Sequence, residues 1–213
     1  VILGIDTSLG TTVAVVEDDG VIRGQADSAN PLAHAEVIGT LLHDVVAGAP
    51  ADITHVAAGM GPGPFTGLRI GIAAARAFAL GRGIPVLPVV SHDAVALEML
   101  LHDALTDAGD GRFAVVTDAR RREVAYSVYD GIDDDDGLPI RTAGPALAPR
   151  DGVDAVLADL GARRRDAHAV SGAMVALAAA RALAAGRTIG PADALYLRSP
   201  DVAAPTAPKK VGR

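Results

Sequence analysis

Short apolar runs punctuated by turn residues alternate along the chain with longer stretches whose apolar positions recur at helical spacing. Residues 1–5 are apolar and end at Asp6, and residues 11–16 are β-branched, as a buried strand pair requires. Asp18, Asp19 and Gly20 form a hairpin signal, so residues 21–26 are predicted to return as a third strand. Over residues 32–46, Val37, Ile38, Leu41, Leu42 and Val45 recur at helical spacing, and Pro50 ends that helix region. A strand near residues 55–58 follows, then a Gly/Pro-rich turn and a helix over residues 66–82 with Thr66 at its N-cap. A strand over residues 84–90 and a helix from a capping Ser91 to about residue 108 complete this half.

The pattern then restarts. Residues 113–117 are an apolar run ending in Asp118, a polar turn occupies residues 119–122, and residues 123–129 return as a strand. An acidic turn over residues 131–137 leads to a strand over 139–147, a helix over 151–160, a strand over 167–170 and an Ala-rich helix over 173–185. The order β-β-β-α-β-α thus occurs twice, and each copy opens with an apolar strand, an Asp, a polar turn and a second strand. This predicts a duplicated α/β fold, with domains at residues 1–108 and 109–190 facing each other across a cleft. Residues 191–213, with Pro200, Pro205 and Pro208, are expected to be an extended segment with a frayed tail.

Composition narrows the function. Half the residues are hydrophobic but only 3% are aromatic, so the core is built from Ala, Val, Leu and Ile and its helices pack at close range. The net charge of −7 argues against a protein that grips nucleic acid on its own, because phosphate contacts need clustered Lys and Arg. The lack of Cys removes disulfides, thiolate nucleophiles and Cys-ligated zinc. No apolar run approaches the ~18 residues of a membrane span. The opening residues do not have the form of a secretion signal, so a cytoplasmic protein without a membrane partner is expected.

Candidate chemistry centres on Gly59-Met60-Gly61-Pro62-Gly63-Pro64-Phe65-Thr66-Gly67-Leu68-Arg69-Ile70-Gly71. A strand, a Gly-rich turn and a helix N-terminus together suit anion binding. Asp6, Ser8, Thr11, Gly61, Gly63 and Thr66 are therefore the candidate phosphate-binding positions. The competing reading of Asp6 is a carboxylate that caps its own turn, and the residues leave both open. Asp118 is its counterpart, but Arg120, Arg121 and Arg122 stand where a phosphate loop would want glycines. The stretch is not a Walker A loop, since no Gly-Lys-Ser/Thr follows, and Pro64 and Thr66 break the dinucleotide fingerprint.

In the helix that follows, Gly67, Gly71 and Ala75 are spaced by four, a ridge of small residues that lets another helix approach closely. One face is expected on the sheet and one on a partner helix. The expected interface is Ile38, Leu41, Leu42, Val45, Gly67, Leu68, Gly71, Ala74, Ala75 and Phe78. No two of the six histidines are three or four residues apart, so no helical metal pair forms, and His92 is expected to be a capping or surface residue. Asp133 to Asp136 lack the spacing of a calcium loop and are expected to be a solvated turn.

Four strings, in order over nearly the whole chain, resemble the TsaB (YeaZ) family of bacterial proteins that act in tRNA threonylcarbamoyladenosine biosynthesis. They are Ile5-Asp6-Thr7-Ser8, the run from Gly61 to Gly71, the run from Asp118 to Val124, and Tyr196-Leu197-Arg198-Ser199-Pro200-Asp201. Pro64 departs from the family, which usually has Ser there. The resemblance implies an actin/hsp70/sugar-kinase-type (RNase H-like) fold and a heterodimer with the related catalytic subunit TsaD. TsaD holds a metal partly by a His-x-x-x-His pair; the similar place here is Val90 to Ala96, with His92 present and Ala96 where the second histidine would be. The resemblance therefore implies a non-catalytic scaffold with no metal and no required cofactor, weak ATP or ADP–Mg binding being secondary. A TsaE ATPase would bind the assembled pair, tRNA would be reached only through the complex, and the chain alone would form a homodimer. The alternative is a free-standing phosphotransferase or ATPase of the same fold using Asp6 and the Gly-rich turn; a metalloprotease lacks its histidine pair.

Overall fold

The computed structural model describes residues 1–30, 33–49, 52–106 and 111–198. Leu32, Pro50 and residue 108, at expected element ends, and residues 199–213 of the expected tail lie outside the described residues. In the first half the chain forms β1 (Ile2–Asp6), β2 (Thr11–Val16), β3 (Ile22–Ser28), α1 (His34–Ala47), β4 (His55–Gly59), α2 (Phe65–Arg82), β5 (Val86–Val89) and α3 (Ser91–Thr106). The second half adds β6 (Phe113–Asp118), β7 (Glu123–Ile132), β8 (Pro139–Pro149), α4 (Val153–Asp159), β9 (Arg163–Asp166) and α5 (Gly172–Ala184).

These strands make two sheets, ordered β3-β2-β1-β4-β5 and β8-β7-β6-β9. In each, the first strand pairs antiparallel with the second and parallel with a later one, Ile2 standing opposite Val16 and Phe113 opposite Tyr129. The two sheets with their helices form a duplicated α/β fold of the actin/hsp70/sugar-kinase kind.

β1 and β2 are buried along their whole length because both faces of the first sheet are covered. One face packs Leu3, Ile5, Val13 and Val15 against Ile38 and Val45 of α1 and Leu68, Ile72 and Ala75 of α2. The opposite face, with Ile2, Ala14 and Val16, packs against α5. α3 in turn packs on α5 and on the second sheet, around Phe113, Val115 and Tyr129. The last helices of the two halves, α3 and α5, are thus exchanged and form a shared middle layer, while α4 covers the outer face of the second sheet. α5 approaches β1 so closely that a Cβ on Gly4 would stand 2.1 Å from the Gly172 carbonyl oxygen.

Three local expectations are corrected. α2 begins at Phe65 with Pro64 as N-cap, and the exposed Thr66 does not cap it. The last strand of the second sheet is Arg163–Asp166, not residues 167–170. Its run of arginines hides an edge strand whose charges are neutralised by Asp154 and Asp166 around Arg164 and by Asp103 beside Arg165. Ser91 is the first residue of α3, and its hydroxyl serves another segment. No helix among the described residues is long and apolar enough to cross a membrane.

Candidate functional site

β1 ends in Asp6, whose carboxylate is buried against the end of β4. A Cβ on Gly59 would stand 1.8 Å from its Oδ2, so only glycine leaves the carboxylate room. Oδ1 accepts the Ser8 N–H at 2.7 Å and the Ser8 hydroxyl at 2.5 Å, and Oδ2 accepts the Ser91 hydroxyl at 2.5 Å. Ser91 Oγ in turn accepts the Gly61 N–H at 3.0 Å. Burial pushes the Asp6 carboxyl above its usual range, against the pull of these donors. Both oxygens are occupied within the chain, so Asp6 ties β1, its own turn, the Gly-rich turn and α3 together.

The Gly-rich turn lies directly on the Asp6–Ser8 turn. A Cβ on Gly63 would meet the Ser8 Cβ at 2.7 Å, and one on Gly71 would meet Thr7 Oγ1 at 2.2 Å. Thr7 Oγ1 donates to the Gly67 carbonyl at 2.7 Å and accepts the Gly71 N–H at 3.1 Å. Thr11 Oγ1 is 2.8 Å from His34 Nδ1, whose ring packs beside Gly67. Of the candidate phosphate positions, Asp6, Ser8, Thr11 and Gly61 are buried, Gly63 is half-buried and Thr66 is exposed on α2.

A cavity of about 520 Å³ opens between the two halves beside Gly63. Pro62, Gly63, Pro64 and Phe65 form one wall, and Thr117 to Arg121 with Leu147 form the other. Arg120, Arg121 and Arg122 all have positive φ, near 63, 50 and 64°, conformations that cost non-glycine residues. Asp118 is exposed, accepts the Arg120 N–H at 3.0 Å and pairs with Arg150. The two strand-end aspartates therefore differ: Asp6 is sealed, Asp118 open. Tyr196, Leu197 and Arg198 cross the cavity mouth. The Tyr196 ring lies 4.7 Å from Phe65, and Arg198 pairs with Glu123 on the far wall. Sequence reasoning singled out the string containing Tyr196 only through family resemblance, since nothing local shows where an irregular segment crosses.

His92 is buried, contrary to a capping or surface role. Its Nδ1 is 2.9 Å from Ser127 Oγ and its Nε2 is 2.9 Å from Thr117 Oγ1. Burial drives its pKa down to about 3, so the ring is neutral. Both nitrogens are taken by hydroxyls, which leaves none for a metal. Among the described residues no three His, Asp or Glu side chains stand together as a metal site. Next to it, Asp93 accepts the Tyr129 hydroxyl at 2.7 Å and pairs with Arg141 at 3.1 Å; burial raises its pKa to about 6.

The expected interface residues divide. Ile38, Val45, Gly67, Leu68, Gly71 and Ala75 face inward, because Thr7 needs the space beside the glycines. Leu41, Leu42, Ala74 and Phe78 are half-buried. The outward apolar stripe of α2 is Ala73, Ala77 and Leu80, with Leu80 84% exposed, flanked by the half-buried Ile70, Ala74 and Phe78. Its spacing is as helical as that of the glycines, and the chain alone does not say which stripe faces out.

The fold and this hub define a two-lobed α/β protein of the actin/hsp70/sugar-kinase type whose first strand-end carboxylate is closed off. A family model described as "TsaD: tRNA N6-adenosine threonylcarbamoyltransferase" matches residues 29–137. An uncharacterized protein of Mycobacterium tuberculosis is 37% identical over 94% of this chain and 92% of its own length. The tRNA threonylcarbamoyladenosine biosynthesis protein TsaB of Escherichia coli is 30% identical over 60% of this chain and 54% of its own length. The structure of YeaZ from Pseudomonas aeruginosa superposes with a TM-score of 0.71 over 92% of this chain and 99% of that one, at 23% identity, and so supports the fold. The chain belongs to the family that the TsaD model describes, and it is similar to TsaB proteins over 60% of its length.

Proposed function

We propose that this chain is a non-catalytic, stabilising subunit of the machinery that makes threonylcarbamoyladenosine in tRNA, acting in the cytoplasm. It docks on a TsaD-like catalytic subunit through the outer faces of α1 and α2, and a TsaE-like ATPase binds the assembled pair. The tRNA is reached only through that complex, and without its partner the chain pairs with a second copy. The observation that carries this reading is the outward apolar stripe of α2, an exposed patch that needs a cover. The closed Asp6 and the neutral, doubly bonded His92 speak for the accessory role.

The test is the mass by light scattering of the chain mixed with its TsaD-like partner. Ala73→Glu with Ala77→Glu places two carboxylates on the exposed stripe and should abolish both heterodimer and homodimer while leaving the circular dichroism unchanged. A heterodimer that persists in this variant overturns the docking surface. Gly71→Leu is no substitute, because the new side chain would run into Thr7.

The cavity between the halves and its arginines favour one secondary reading, weak binding of ATP or ADP there. With both Asp6 oxygens occupied, the affinity should change little when magnesium is added. Tight, magnesium-dependent binding abolished by Asp6→Ala, measured by calorimetry, would make the chain a phosphotransferase or ATPase instead.

A further inference from the structure

On the side of α3 away from Asp6, Asp93 lines a second cavity of about 280 Å³. Asp93 is 7% exposed as a residue, yet the protein's hydrogen bond and ion pair both go to one of its oxygens. Oδ1 faces both the Tyr129 hydroxyl and the Arg141 guanidinium, and no hydrogen bond reaches Oδ2 from a described residue. The cavity carries two carboxylates, Asp93 and Asp133, and two guanidiniums, Arg141 and Arg187. Arg187 also pairs with Asp136 and stands 3.9 Å from Asp133, which fixes the acidic turn as the rim. Leu138, Pro139 and Ile189 supply an apolar wall.

The geometry points to a binding site for a small zwitterion of the α-amino-acid type, its ammonium on Asp93 Oδ2 and its carboxylate toward the guanidiniums of Arg141 and Arg187. A ligand with only a positive charge would meet both arginines, and one with only a negative charge would meet both aspartates. Opposite charges two bonds apart answer both sets at once. Charge-assisted hydrogen bonds are the strong kind, so one carboxylate oxygen left open at the cavity can orient the ligand. The apolar wall accommodates a short side chain. This site lies apart from α2 and the cleft, and it stands or falls independently of the accessory role.

The experiment titrates the full chain with glycine, L-alanine, methylammonium and acetate, following the amide shifts of Thr188 and Ile189 by NMR. Glycine and L-alanine should shift these amides saturably, and the two singly charged probes should bind at least about tenfold more weakly, as loss of one charge-assisted contact implies. Asp93→Asn should weaken glycine binding by a similar factor. Ile140→Trp, at a 40% exposed wall position, should block the cavity without touching its charges. The proposal is overturned if neither amino acid gives a saturable shift, or if methylammonium or acetate binds as well as glycine. Unchanged glycine binding in a folded Ile140→Trp protein overturns it equally.

Discussion

Gly71→Ala adds one methyl group to a buried helix position and should destabilise the protein, although alanine is the better helix former. The added Cβ would stand 2.2 Å from Thr7 Oγ1, 3.0 Å from its Cγ2 and 3.1 Å from its Cβ. Thr7 is 1% exposed and cannot swing into solvent, so β1's turn must shift away from α2. Overpacking of this kind costs about 1–3 kcal/mol. The shift also breaks the two hydrogen bonds of Thr7 Oγ1, to Gly67 and from Gly71, for roughly 1–3 kcal/mol together. Alanine returns about 1 kcal/mol of helix propensity. The net loss is on the order of 3 kcal/mol, or roughly 6–12 °C in Tm for a protein of this size. Gly81, in the same helix, is the control: a Cβ there meets nothing within 4 Å, so Gly81→Ala should stabilise by about 0.4–1 kcal/mol. Thermal melts by circular dichroism measure both. Thr7→Ala removes the hydroxyl that clashes, so the double variant with Gly71→Ala should lose at least about 1 kcal/mol less than the sum of the singles. A neutral or stabilising Gly71→Ala, or strict additivity with Thr7→Ala, would refute the close approach of α2 to Thr7.

Adjacent titrations on α3 should oppose each other. Asp93 is raised from 3.8 to about 6, so the folded state holds the extra proton between those values and this group's contribution falls as pH rises. His92 is lowered from 6.5 to about 3, so there the unfolded state holds the extra proton and stability rises with pH. Between pH 4 and 6 the two slopes, each up to about 1.4 kcal/mol per pH unit, should nearly cancel. Asp93→Asn should unmask a stability that climbs with pH and His92→Gln one that declines, both read from urea midpoints; identical pH profiles in all three proteins would dismiss the assignment. Tyr196→Ala removes the ring against Phe65 and should cost about 1 kcal/mol. It should also speed hydrogen exchange at the Leu195 N–H, which bonds the Met60 carbonyl at 2.7 Å, whereas unchanged protection would show that the crossing segment is held elsewhere.

Apolar runs with strong local signatures were legible. β2 falls on the predicted residues because a β-branched run buried on both faces has no other regular form to take. The Ala-rich α5 was equally plain, and the repeated order of elements pointed to the duplicated fold. β9 was missed because its arginines carry no hydrophobic period; it is a strand only because β6 offers an edge and nearby aspartates neutralise it. The candidate site was half legible. Asp6 and the glycines were recognised as chemistry-bearing, but Asp6 is closed by Ser91, 85 residues away in the chain. Which stripe of α2 faces outward, and the burial of His92 between Thr117 and Ser127, were likewise beyond local pattern.

From the chain alone came the element order, the duplication, the lack of a histidine pair and the tight Gly-rich turn, because each rests on periodicity, backbone freedom or side-chain chemistry within a few residues. Tertiary structure decided that the two halves exchange their last helices, that the glycines of α2 serve Thr7 and that the two aspartates have opposite fates. Those outcomes depend on contacts between segments distant in sequence. There the competition for space and for hydrogen-bond partners is settled only once the sheets and helices are packed.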